Sequence, residues 1–145
     1  MMKLIVSLVL FLFFYSCETN EKKEIVIAKN PHGIGIEKLE LKPINDSIMK
    51  LGAELFKVKC SQCHTMEYKN TGPDISDLLA YRKKEWLVNF LLNKDEMLQR
   101  DSLALITVQK YDTICSANIT SKTEALELLE YFRIYQIWLH EFNAL

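Results

Sequence analysis

Apolar residues fall at helical spacing in several runs along the chain, separated by caps and breakers, and the pattern predicts an all-α domain. The first run follows Asn45-Asp46-Ser47, residues that cap helix N-termini, and sets Ile48, Leu51, Leu55, Phe56 and Val58 on or near one face. Gly52 interrupts it. A glycine inside a helix costs about 1 kcal/mol relative to alanine, so its presence predicts a close crossing by another helix. Residues 65–71 read as a loop ending in the breaker Gly72-Pro73-Asp74. Residues 85–92 put Trp86 and Phe90 four apart on a short helix, and a further helix is expected from Asp101-Ser102 through Lys110, with Leu105, Ile106 and Val108 as its apolar content. The last helix is the best marked. Ser121-Lys122-Thr123-Glu124 is a capping box, Leu128, Tyr131, Phe132 and Tyr135 follow at i, i+3, i+4 and i+7, and the helix is expected to run on to Phe142.

The N-terminus belongs to a different pattern. Met1-Met2-Lys3 precedes an apolar run from Leu4 to Phe14 that is short for a bilayer span and ends at Tyr15-Ser16-Cys17, after which the chain turns abruptly charged. This describes an export signal over residues 1–16, which is excluded from the fold. The stretch Phe14-Tyr15-Ser16-Cys17 resembles the lipobox of bacterial lipoproteins, and that resemblance implies a mature chain starting at a lipidated Cys17, anchored to a membrane without spanning it. Residues 17–44 are then a tether and surface lead-in. Within them Asn30-Pro31-His32-Gly33-Ile34-Gly35-Ile36 should be irregular, and Leu39, Leu41 and Ile44 are candidates to tack it to the domain of residues 45–145.

Composition adds two limits. Few glycines and prolines against many Leu, Glu and Lys favour helices over a sandwich of strands, and a formal net charge of -1 gives no basic excess for nucleic acid. Asp74, Asp77 and Asp101 read as turn or cap residues, so no constellation of general base and nucleophile stands out.

The chemistry lies in Cys60-Ser61-Gln62-Cys63-His64. Two thiols at this spacing can each add across a porphyrin vinyl group, and the histidine after them then lies under the iron, so C-x-x-C-H reads as a c-type haem attachment site. A dithiol redox pair or half a zinc site competes with this reading. The first wants a βαβ context and the second another ligand pair, and neither accompanies the motif.

The order Gly52-x-x-Leu55-Phe56, Cys60-x-x-Cys63-His64, Gly72-Pro73, a tryptophan-bearing helix and a terminal Leu-Leu-Glu-Tyr-Phe resembles a class I monohaem cytochrome c domain over residues 45–135. The lead-in at 29–35 is similar to that of lipoprotein members of the family. The resemblance implies a small helical domain wrapped around one covalent haem c. Cys60 and Cys63 would form the thioethers, His64 would be the proximal iron ligand, and the Pro73 carbonyl would accept its imidazole hydrogen bond. Gly52 and Phe56 would cross the last helix near Tyr131, and Trp86 with Arg82-Lys83-Lys84 would lie near the propionates.

One departure stands out. The family supplies a distal methionine in the loop before the last helix, and residues 111–120 contain none. Cys115 as a thiolate, Met97 reaching in, or an open sixth position are the alternatives; Met66 is too close to His64 to cross to the other face, and His32 and His140 lie outside the expected loop. The expected function is a single-electron carrier serving redox partner proteins on the exported, periplasmic or cell-envelope side of a bacterial membrane. The alternative is a haem c domain with an open or Cys-ligated distal site, binding a small ligand or serving as haem subunit of a sulfur-substrate oxidoreductase.

Overall fold

A computed structural model describes residues 33–111 and 116–143, and the expectations for the signal segment, Cys17, His32 and Cys115 lie outside the described residues. Its helices are α1 (Asp46–Lys59), α2 (Ile75–Tyr81), α3 (Lys84–Leu92), α4 (Lys94–Arg100), α5 (Ser102–Tyr111) and α6 (Lys122–Asn143), with no strand among the described residues. None of these helices is long and apolar enough to cross a membrane.

Asn45 starts α1 from an extended conformation, its side chain accepting from the N–H groups of Ser47 and Ile48 at 3.0 and 3.1 Å. Asp46 in the first turn and Lys57 and Lys59 in the last complement the helix dipole. The buried face is not the full apolar stripe. Ile48, Leu51 and Val58 are 41%, 55% and 79% exposed, while Gly52 and Phe56 are buried, because α1 meets α6 through its one residue without a side chain. A Cβ at Gly52 would stand 2.0 Å from the Glu127 carbonyl oxygen of α6. Phe56 then packs on Tyr131 and edge-on to Phe132, with ring centroids 5.5 and 5.9 Å apart.

At the start of α6 the capping box forms in altered shape. The Glu124 N–H donates to Ser121 Oγ at 3.2 Å, but the Glu124 carboxylate reaches one residue further back, accepting from the Thr120 N–H at 2.7 Å and its hydroxyl at 3.1 Å. Leu128 and Phe132 are buried and Tyr131 and Tyr135 half-buried, whereas Ile137 and Trp138 are about half exposed, so the helix outruns the core.

Two short helices, α2 and α4, fall where a loop or no element was expected. In α4 only Met97 is buried, leaving no apolar period to read; the rest is a dipole-matched charge pattern with Arg100 bonded to Glu96 at 2.6 Å. Asp101 ends α4 and caps α5, accepting from the Ala104 N–H at 2.8 Å.

The lead-in is bound more tightly than a surface strap. Glu85, Asn89, Asn93 and Met97, four residues apart along α3 and α4, supply side-chain partners to its backbone. Glu85 accepts from the Leu39 N–H (3.0 Å), Asn89 both accepts from and donates to Ile36 (2.7 and 2.8 Å), Asn93 donates to the Ile34 carbonyl (3.3 Å), and Met97 Sδ accepts from the Ile34 N–H (3.1 Å). Gly33 and Gly35, at φ 74° and 125°, allow the backbone to lie this close. Leu39 is buried and Leu41 packs against the core. Asn89→Ala is expected to lower stability by about 2 kcal/mol, since the Ile36 amide loses its paired partners; chemical denaturation of the holoprotein measures it.

Candidate functional site

The C-x-x-C-H motif forms as α1 unwinds. Cys60 caps the helix with its N–H on the Phe56 carbonyl at 2.8 Å, and the Cys63 and His64 N–H groups both return to the Cys60 carbonyl, at 3.0 and 2.9 Å. This tight turn brings Cys60, Cys63 and His64 to the rim of one cavity. Both cysteines are free thiols.

The loop after the motif folds back to hold the imidazole. The Gly72 N–H donates to the Cys63 carbonyl at 2.8 Å, which sets Gly72 against the ring and Pro73 at its edge; His64 Nδ1 lies 2.8 Å from the Pro73 carbonyl oxygen. A carbonyl can only accept, so Nδ1 carries the proton and Nε2 is the ring's acceptor atom, the form in which histidine binds a metal. Tyr135, from the far part of α6, donates to Glu67 in the same loop. Burial and the Glu67 carboxylate push that phenol well above the ordinary tyrosine range.

The cavity is partly open to solvent, and its lining is almost wholly apolar. Leu87, Phe90 and Leu91 of α3, Val108 of α5 and Ile119 and Phe132 form much of it, with Lys94, Thr107 and Tyr111 as its few polar side chains. The Trp86 ring stacks on Phe90 at 5.1 Å, but its indole N–H is committed to the buried Asp101 carboxylate at 3.1 Å. Arg82, half-buried, lies beside the cavity, its Nη1 donating to the Tyr81 carbonyl at 3.2 Å. Its guanidinium lies over the Trp86 ring, Nη2 is 3.5 Å from Thr107 Oγ1, and Nε is buried with no hydrogen-bond partner. An unpartnered cationic N–H beside an apolar cavity fits an anionic group on whatever fills it.

These features answer a porphyrin with carboxylate edges: apolar walls, two thiols, an oriented imidazole and, beside the cavity, an Arg82 whose Nε lacks a partner. The solved structures agree. Over 71% of this chain and 90% of the other, the fold superposes on cytochrome c from Rhodothermus marinus with a TM-score of 0.66 and 27% sequence identity. An engineered cytochrome c from the same organism, Rma TDE, matches with the same figures. The chain carries a cytochrome c domain. Its cofactor is covalent haem c, and the domain is of the electron-carrier type. No protein-family model matches the chain, and no curated protein does.

Within the cytochrome c domain, the sequence reading of Met97 needs correction. Met97 is fully buried, its sulfur accepts from the Ile34 N–H at 3.1 Å, and Gly33 packs against its terminal methyl, so it anchors the lead-in and does not line the cavity. Met97→Leu is therefore expected to leave the ferric absorption spectrum and reduction potential unchanged while costing about 1 kcal/mol of stability. Met66 is buried away from the lining, and His140 is exposed on α6.

Sequence reasoning missed the polar tethers of the segment before α6. Lys59 Nζ donates to the Asn118 carbonyl at 3.0 Å and to Glu124 Oε1 at 2.8 Å, and Lys94 Nζ lies 3.5 Å from the Ala117 carbonyl. The hydrogen bond from Lys59, then that from the Thr120 N–H, lower the Glu124 carboxyl to about 2. Lys59 lies 59 and 65 residues from its two partners and Lys94 lies 23 from its own, and nothing in local spacing pairs them.

Proposed function

We propose that the chain is a single-electron carrier that holds one haem c and works at a bacterial membrane surface on the exported side. On this reading Cys60 and Cys63 hold the porphyrin through thioethers, His64 is the proximal iron ligand, and the Pro73 carbonyl keeps the imidazole oriented. The observation that carries the reading is the convergence of both thiols and the His64 ring on one apolar cavity, with Nδ1 already engaged by Pro73. Haem supplies the one-electron chemistry. The chain's own residues do the rest: Leu87, Phe90 and Leu91 exclude water, and Arg82 offers its guanidinium to the propionate edge.

Cys17 is the lipid-bearing residue of this proposal, residues 1–16 the signal removed before it, and residues 17–44 the tether and lead-in. Redox partner proteins, and not nucleic acid, are its partners. Cys115 is the sulfur donor for the sixth position. A second reading, small-ligand binding at an open or Cys-ligated site or service as the haem subunit of a sulfur-substrate oxidoreductase, is favoured by one observation: the described cavity lining contains no methionine.

Spectroelectrochemistry of the exported protein tests the proposal. A single reversible one-electron wave is expected, with Cys17→Ala moving the protein from the membrane to the soluble fraction. An irreversible response together with rapid carbon monoxide binding by the ferrous form would favour the second reading.

A further inference from the structure

The segment leading into α6 forms part of the cavity wall, since Ala117 and Ile119 both line it. It is not helical, and side chains hold it. From the last turn of α1, directly before Cys60, Lys59 reaches the Asn118 carbonyl at 3.0 Å while pairing with Glu124 at 2.8 Å. From the start of α4, Lys94 reaches the neighbouring Ala117 carbonyl at 3.5 Å. Glu124 in turn grips the Thr120 N–H at 2.7 Å, so one carboxylate ties the lysine to the same segment. The Lys59–Glu124 pair is only about a quarter exposed at each side chain, which sets it apart from an ordinary surface ion pair. Among the described residues, Lys94 is the only Lys or Arg that lines this mostly apolar cavity.

We propose that Lys59 and Lys94 are positioning residues that clamp the Ala117–Asn118 stretch of wall, and so control access of exogenous ligands to the haem iron. The inference rests on the haem assignment of the preceding subsection and goes beyond it. Two cations from different helices take two adjacent carbonyls, so the wall is fixed against both the haem-bearing helix and the α3–α4 junction. Lys59 is the stronger arm, because its bonds are shorter and one goes to a carboxylate; Lys94, at the limit of hydrogen-bonding distance, is the weaker. The Lys59 hydrogen bond lowers the Glu124 carboxyl to about 2, so the carboxylate is charged at neutral pH.

The test is stopped-flow binding of imidazole to the ferric, haem-loaded full chain, with covalent haem content measured on the same samples. Lys59→Met is expected to bind imidazole about tenfold faster, the equivalent of losing one charge-assisted hydrogen bond from the closed wall, with an unchanged helical circular dichroism spectrum. Lys59→Arg, which keeps the charge and the donors, is expected to restore the slow rate, a rescue that loss of bulk packing would not give. Lys94→Gln is expected to accelerate binding by a smaller factor. If Lys59→Met yields no holoprotein, Glu124→Gln decides in its place, since it weakens the same arm without touching the motif. Haem-loaded variants that bind imidazole at the wild-type rate overturn the clamp. A wild-type chain without covalent haem instead overturns the haem assignment, so the two failures are distinguishable.

Discussion

Gly52→Ala is expected to lower the melting temperature of the holoprotein by roughly 10 °C, against the direction that helix propensity alone predicts. Replacing glycine by alanine inside a helix ordinarily gains about 1 kcal/mol. Here the added Cβ would lie 2.0 Å from the Glu127 carbonyl oxygen and 2.6 Å from its carbonyl carbon, both backbone atoms of α6, and 3.0 Å from Tyr131 Cβ. No flexible side-chain end can yield, so the helices must separate and Phe56 loses its seat on Tyr131 and Phe132. Overpacking of this kind costs about 3 kcal/mol, which exceeds the propensity gain. Calorimetry of the two proteins decides it: a melting temperature equal to or above wild type would mean that α1 and α6 do not cross through Gly52.

The second large effect is at the iron. Gly72→Ala would put a Cβ 2.5 Å from His64 Cε1 and 2.8 Å from Nδ1. The ring must tilt, and the hydrogen bond from Nδ1 to the Pro73 carbonyl at 2.8 Å is lost or lengthened. That bond makes the imidazole a better donor and so favours the ferric state; without it the potential should rise by about 50 mV, the one-electron equivalent of somewhat over 1 kcal/mol. A haem-loaded Gly72→Ala protein with the wild-type potential would show that Gly72 does not set the pose of the ring.

Much of this site could be read in the chain before any coordinates. Cys60, Cys63 and His64 follow from spacing, Asn45 and the Ser121–Glu124 box mark the ends of α1 and α6, and a glycine in the middle of α1 foretells a close crossing. The rest was hidden for physical reasons. Glu85, Asn89 and Asn93 are polar and look like a solvated helix face, yet all three bond the lead-in backbone and Glu85 and Asn89 are buried. Met97 has only Leu98 as an apolar neighbour in α4, so neither the helix nor the sulfur's hydrogen bond to Ile34 has a local signature. In α1 the apolar residues at 48, 51 and 58 overstate the buried face, because packing there selects for closeness and not for apolar area. Arg82 was legible only as one of three consecutive cations. Its place over Trp86, with Nε unpartnered, singles it out.

The proposal that Cys60 and Cys63 hold a haem coordinated by His64 is tested most directly by the pyridine haemochrome spectrum of the exported protein after acid–acetone extraction. The wild-type chain is expected to retain one haem with the spectrum of a porphyrin bound through two thioethers, and Cys60→Ala with Cys63→Ala to retain none. Covalent haem persisting in the double variant, or none in the wild type, would contradict the account.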